Sequence, residues 1–276
     1  MFSTVAIVGA GTMGQGIAQL LVESGLTVRL HDRSAEALSQ AIDAVTRRLQ
    51  RRTDMDTSAA ATANLLLSTP CLAQITDVEL AIEAVPERLE LKQVVFAELD
   101  RCLPASAVLA SNTSGLDIDK LANSTTRPER VLGLHFFNPP SLMPLIEVVP
   151  GAVTDSAVLA AVQAFAEQLG KTPITVANRP GFVVNRLLFA MIAEAVRIVD
   201  EGETPAQDVD RALCLGASHP IGPLALADFI GLDVVLDILQ SLVSGLGTRY
   251  EPSAVLHELV TQGHLGRKSG RGFFSY

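Results

Sequence analysis

The chain has no tryptophan, two tyrosines and only three cysteines in 276 residues. Cys71, Cys102 and Cys214 stand far apart without a C-x-x-C pairing. That spacing excludes a disulfide framework and reads as reduced, mostly structural thiols of a cytoplasmic protein. The five histidines never fall at H-x-x-x-H spacing, so no metal is expected. Charged residues are scarce too, at 18%, and the acids outnumber the bases 30 to 21 for a net charge of −9. Without a surplus of lysine and arginine, nucleic acid is excluded as a partner. No apolar run reaches the roughly 20 residues that a membrane-spanning helix needs. Polar residues interrupt the stretches near 65–67 and 183–199. The opening Met1-Phe2-Ser3-Thr4 lacks a basic region and a cleavage site, so neither a targeting signal nor a membrane partner is expected.

What is present is ample apolar material, 48% of the chain, enough to build a core without metal or disulfide staples. The length suits one large or two moderate domains. Short Val-, Ile-, Leu- and Ala-rich runs at 4–9, 26–32, 80–85, 107–112, 131–137 and 145–150 read as strands of a parallel sheet buried on both faces. Helical patterns lie between them at 14–24, 34–52, 88–101 and 154–169. The stretch 34–67 reads as one helix, or as two with a break near Asp54–Thr57. Past Pro180 only helices are expected: 180–202, a helix opened by a capping box at Thr204-Pro205-Ala206-Gln207, then 224–245 and 252–262. The expectation is an α/β chain, with a Rossmann-type doubly wound sheet over 1–180 and an all-α C-terminal domain over 181–276.

"AIVGAGTMGQG" places Gly9, Gly11 and Gly14 in G-x-G-x-x-G register, directly after a strand and opening a helix. The first glycine permits the tight turn, the second lets a pyrophosphate approach the backbone, and the third lets helix pack on strand. Amides of Ala10, Thr12 and Met13 lie at the helix start, where a phosphate is favoured. Asp32 follows the second strand and suits the ribose hydroxyls, so NAD is the expected cofactor. Arg33 beside it is the residue type that accommodates a 2′-phosphate.

A different oddity lies in "LHFFNPPSLMPLIEVVP". His135 ends one apolar run and Glu147 sits inside the next, 12 positions on, across a proline-broken loop. Each alone suits a satisfied core residue. Asn112 and Ser114 suit a strand-ending turn equally well. His31, His219, His257 and His264 carry weaker signals.

Taken in order, "GAGTMGQGIAQ", "EAVPERLELK", "ASNTSGL", "GLHFFNPP", "PGFVVNRLL" and "GRKSGRGFFSY" resemble the L-3-hydroxyacyl-CoA dehydrogenase family, including its 3-hydroxybutyryl-CoA dehydrogenases, over nearly the whole chain. The resemblance implies NAD-dependent oxidation of a 3-hydroxyacyl-CoA and a homodimer formed through the helical domain. It implies that His135 is the general base and Glu147 its carboxylate partner, with Ser114 and Asn185 orienting the substrate. Glu87, Lys92, Asn112, Ser114, Asn138 and Lys268 are implied as cofactor contacts beyond the glycine loop and Asp32. The chemistry agrees: loss of hydride from C3 requires removal of the hydroxyl proton, which a histidine backed by a carboxylate can take.

Three departures bear on the substrate. Ser114-Gly115 replaces the family's usual serine pair, and Pro144 stands where lysine is common. "PPSLMP" is closer to relatives that oxidise free 3-hydroxy acids, such as L-gulonate or carnitine dehydrogenases, whereas "HFFNP" favours the acyl-CoA enzymes. The segment after the second strand is less lysine-rich than usual but carries Arg47, Arg48, Arg51 and Arg52, in position either to meet CoA phosphates or to form a solvated helix face.

Overall fold

The computed structural model describes residues 2–53 and 64–276. The chain divides into two compact units, Met1–Asn178 and Arg179–Tyr276.

In the first unit the order is β1 (Thr4–Val8), α1 (Thr12–Glu23), β2 (Thr27–His31), α2 (Ala35–Thr53), β3 (Leu66–Ser68), β4 (Leu80–Glu83), α3 (Leu89–Cys102), β5 (Val108–Ser111), α4 (Ile118–Ala122), β6 (Val131–Phe136), β7 (Leu145–Pro150), α5 (Ser156–Gln168) and β8 (Thr172–Thr175). The eight strands form one sheet in the order β3-β2-β1-β4-β5-β6-β7-β8. Alternation within the strands sends residues to two faces. Val5, Ile7, Leu80 and Ile82 join residues of α1, α2 and α5 in one core. On α3, which packs on β4 and β5, Phe96 and Leu99 are fully buried.

Two features depart from the expected sheet. The β6–β7 pair is antiparallel, because the connection 137–144 is too short for the crossover of a dozen or more residues that a parallel pair needs. Strands β3 and β8 were not anticipated. The first has three residues and falls at the end of the stretch 34–67 that reads as helix, and the second, "TPIT", is mostly exposed and shows no apolar run. The break expected near Asp54–Thr57 lies outside the described residues.

Strand order reverses between β1 and β4, which are neighbours in the sheet although β2 and β3 separate them in the chain. At such a point the connections leave the carboxyl edge in opposite directions and open a crevice. The glycine loop follows β1, and Val85–Glu87 follow β4, so both line it.

The second unit holds α6 (Val184–Asp200), α7 (Ala206–Gly216), α8 (Pro223–Ile230), α9 (Leu232–Leu246) and α10 (Ala254–Thr261). The capping box at 204–207 does not form. The cap of α7 is Pro205, which has no side-chain acceptor. The single helix expected over 224–245 is two, bent by 101° at Gly231, whose φ of +105° is outside the helical range. Asp210 of α7 accepts from the amides of Leu224 and Ala225, each at 2.8 Å, and so satisfies the first turn of α8. Asp228 of α8 accepts from the amides of Phe273 and Phe274 and from the Tyr276 hydroxyl, which pins the C-terminal segment. Among the described residues no single helix is long and apolar enough to cross a membrane.

Candidate active site

Each glycine of the loop meets a different constraint. Gly9 has φ +110°, and a Cβ there would lie 2.6 Å from the Ala84 carbonyl oxygen. A Cβ on Gly14 would lie 1.8 Å from the Gly9 carbonyl oxygen, whereas one on Gly11 would meet nothing within 4 Å. The first and third therefore serve the tight turn and the close approach of strand and helix. The second keeps space open at the amino end of α1. No acid occupies the first turn of α1 to oppose an anion there.

Asp32 closes the far side. Its Oδ2 accepts from the Ala10 amide and its Oδ1 from the Ser34 amide, both at 2.9 Å. Together they border a cavity of about 650 Å³ lined by Gly9–Met13, His31, Asp32, Arg33 and an apolar wall of Leu72, Leu91, Val94 and Val95. An open helix start, a carboxylate at the end of the second strand and an apolar slot fit the pyrophosphate, ribose and adenine of a dinucleotide.

A second cavity, of about 310 Å³, adjoins the same loop at Met13, Ala84 and Val85. Its wall includes Glu87, Asn112, Ser114, His135, Phe137 and Asn138. His135 and Glu147 are directly opposed in the antiparallel register, so both side chains stand on one face of the sheet. His135 Nδ1 lies 2.8 Å from Glu147 Oε2, and both residues are buried. The Phe137 ring packs on the imidazole, with centroids 4.5 Å apart. Asn112 Oδ1 accepts from the Phe136 amide at 2.9 Å and ties the end of β6 to that of β5.

Glu87 gathers the serine side of this wall. Its Oε1 accepts from the Thr113 hydroxyl at 2.5 Å, the Ser114 amide at 2.8 Å and the Ser114 hydroxyl at 3.1 Å. Its Oε2 lies 3.2 Å from Lys92 Nζ. Lys92 is fully buried and lines neither cavity. Its ammonium also meets Glu83 Oε1 at 2.7 Å and the Val85 carbonyl at 3.1 Å. Glu83 and Ser111 escaped sequence reasoning. The signal was a lone acid inside the apolar run "LAIEAV", the same kind of signal that marked Glu147. Burial pushes the Glu83 carboxyl above the usual carboxylate range, against the opposing pull of Lys92, the Ser111 hydroxyl and the Val85 amide.

The remaining candidates lie elsewhere. Arg47 and Arg48 are exposed on α2, and Arg48 donates to Gln15 Oε1 at 3.0 Å. Gln15 in turn donates to the Ala10 carbonyl, so Arg48 braces the glycine loop. The side chains of Arg51 and Arg52 lie outside the described residues. Asn185 and Lys268 belong to the second unit. Asn185 stands in the first turn of α6, and Lys268 Nζ lies 2.6 Å from Asp233 Oδ2. Among the described residues no cluster of histidine, cysteine and acids could hold a metal.

A Rossmann-type sheet, a glycine loop with an acid at the end of the second strand, and an adjoining cavity walled by a histidine fit an NAD-dependent dehydrogenase. Comparison with known proteins makes this specific. The family model described as 3-hydroxyacyl-CoA dehydrogenase, NAD binding domain, matches residues 4–179, and that of the C-terminal domain matches residues 181–276. A probable 3-hydroxybutyryl-CoA dehydrogenase of Bacillus subtilis is 42% identical over 277 residues, covering 99% of this chain and 96% of that protein. The mitochondrial hydroxyacyl-coenzyme A dehydrogenase of Sus scrofa is 36% identical over 284 residues, 99% of this chain and 90% of its own length. The crystal structure of (S)-3-hydroxybutyryl-CoA dehydrogenase PaaH1 from Ralstonia eutropha superposes with a TM-score of 0.96 at 40% identity, covering 100% of this chain and 99% of that one. The chain belongs to the 3-hydroxyacyl-CoA dehydrogenase family.

Proposed function

We propose that the chain oxidises short (S)-3-hydroxyacyl-CoA substrates to 3-oxoacyl-CoA, and catalyses the reverse reduction, with His135 and Glu147 handling the proton. The observation that carries this reading is the 2.8 Å contact between His135 Nδ1 and Glu147 Oε2 beside a cavity that adjoins the dinucleotide loop. NAD, when bound, supplies the hydride acceptor. Glu147 holds the imidazole through Nδ1, so the proton of the 3-hydroxyl goes to Nε2, on the ring edge away from the glutamate. The carboxylate then stabilises the imidazolium that forms. Burial of the pair and the Phe137 ring keep bulk water from the transfer.

The Ser114 hydroxyl donates to Glu87 and turns its lone pairs to the cavity, where they accept a hydrogen bond from the cofactor and so help to place the substrate against it. Asn138 and Asn112 complete this wall. Glu87, itself part of the wall, is paired with Lys92 behind it. Asn185 is assigned to the substrate and Lys268 to the cofactor by the family's motif order. Arg47, Arg48 and Arg51 are assigned to the CoA phosphates. Large apolar side chains exposed on the second unit, Leu187, Leu215 and Phe229, support a homodimer through that unit.

The names of the relatives support acyl-CoA as the substrate class. Steady-state turnover of acetoacetyl-CoA against free acetoacetate tests it. Higher kcat/KM for the thioester is expected. Equal or better turnover of the free acid overturns the assignment in favour of a free 3-hydroxy acid.

A further inference from the structure

We propose that Glu83, which touches neither cavity, is a positioning residue for the reaction, acting on Ser114 through Lys92 and Glu87. The proposal rests on the site reading above and deepens it. Glu83 ends β4 at the centre of the sheet, paired with Val8 on one side and Ser111 on the other. Its side chain is fully buried. A carboxylate in that place is costly unless its oxygens are occupied. They are: Oε1 takes the Val85 amide and the Lys92 ammonium, each at 2.7 Å, and Oε2 takes the Ser111 hydroxyl at 2.6 Å.

Four elements at the carboxyl edge thus converge on one carboxylate: the end of β4, the loop after it, α3 and the end of β5. An apolar side chain would hold a core together equally well, and a buried ion pair by itself is weak evidence of stability. What this pair adds is direction. Lys92 faces two acids, and with one of its hydrogens held by Glu83 its charge points at Glu87 Oε2, 3.2 Å away. Glu87 can then turn only Oε1 toward the strand end, where Thr113 and Ser114 bind it. The hydrogen of Ser114 is committed to that oxygen, and its acceptor side is committed to the cavity. Without Glu83, Lys92 is drawn wholly to Glu87, and the hold on Ser114 loosens.

A double-mutant cycle on Glu83→Gln and Ser114→Ala tests this, read on kcat and, separately, on the NADH dissociation constant from fluorescence titration. Circular dichroism melting establishes that each variant is folded. If Glu83 acts through Ser114, the combined loss falls short of the product of the single losses by a factor within the roughly threefold to hundredfold range of coupled neighbours. Losses that multiply in both readouts overturn the inference and leave the site reading intact. No loss in Ser114→Ala alone overturns the serine's role in the site, and the inference with it. Should Glu83→Gln fail to fold, Glu83→Asp replaces it in the same cycle, because it keeps the buried charge and draws the carboxylate back from Lys92. The same two outcomes then decide.

Discussion

His135 and Glu147 meet because they are partners in register across β6 and β7, which puts Nδ1 and Oε2 2.8 Å apart. A slip of one residue in either strand would send one of them to the opposite face of the sheet. The pair therefore depends on the length of the loop between the strands as much as on the two residues.

Replacing His135 by glutamine is expected to lower kcat by about 10²–10⁴-fold, the usual contribution of a positioned base. NADH binding and the melting temperature should change little. Glu147→Gln, which keeps the shape and removes the charge, should slow the reaction as well and shift the pH–rate profile. Full activity in both variants would sink the assignment of the dyad.

The glycine loop separates stability from binding. Gly14→Ala places a methyl 1.8 Å from the Gly9 carbonyl oxygen, a backbone atom that cannot yield locally. A loss of about 1–3 kcal/mol or more in urea unfolding is expected, as for an overpacked core. Gly11→Ala meets no neighbour within 4 Å, so its unfolding midpoint should be near wild type. Its NADH affinity should fall, because the methyl occupies the approach of the pyrophosphate.

Asp32→Ser removes a carboxylate that two amides hold at the edge of the cofactor cavity. Hydrogen bonds to a charged group are worth about 1.5–3 kcal/mol, which predicts a rise of roughly tenfold to a hundredfold in KM for NAD. The preference over NADP should narrow, since Arg33 remains and the repelling charge is gone. Unchanged kinetics with both cofactors would exclude Asp32 from ribose recognition.

Acid should weaken the first unit in a predictable direction. The Ser3 amide and then its hydroxyl hold the Glu79 carboxyl below the usual range, and the Arg29 guanidinium does the same for Asp77. A depressed acid contributes stability that is fully present above its unfolded pKa of about 4 and is lost as pH falls through the lower folded value. The contribution of these two acids should therefore be constant from neutral pH to about 5, and urea midpoints should decline below about 4 as it is lost. In Glu79→Gln the decline should be shallower, and an identical slope would remove Glu79 from this account.

Much of the fold was legible because its signals are local. All six expected strands in the first unit match observed ones to within two residues at each end, and past Pro180 the described elements are helices. The expectation of an entirely parallel sheet failed at β6–β7, where only the loop length decides direction. The single helix over 224–245 failed at Gly231, whose backbone takes a conformation that periodicity does not register. At the site, the glycine loop and the histidine–glutamate oddity were visible from local sequence alone. Glu83 was hidden, since its partners Lys92 and Ser111 are nine and 28 positions away.

The order of motifs in the sequence by itself determined the class of protein, a dinucleotide-dependent dehydrogenase of the 3-hydroxyacyl-CoA family, because turns, caps and apolar periods act over a few residues. Only the tertiary structure decided what each charged side chain faces. It set Lys92 inward against Glu83 rather than into the cofactor cavity, and Arg48 onto Gln15. The reason is physical: a buried charge is settled by whichever partners the packing of distant strands brings within 3 Å or so, and no local pattern encodes that choice.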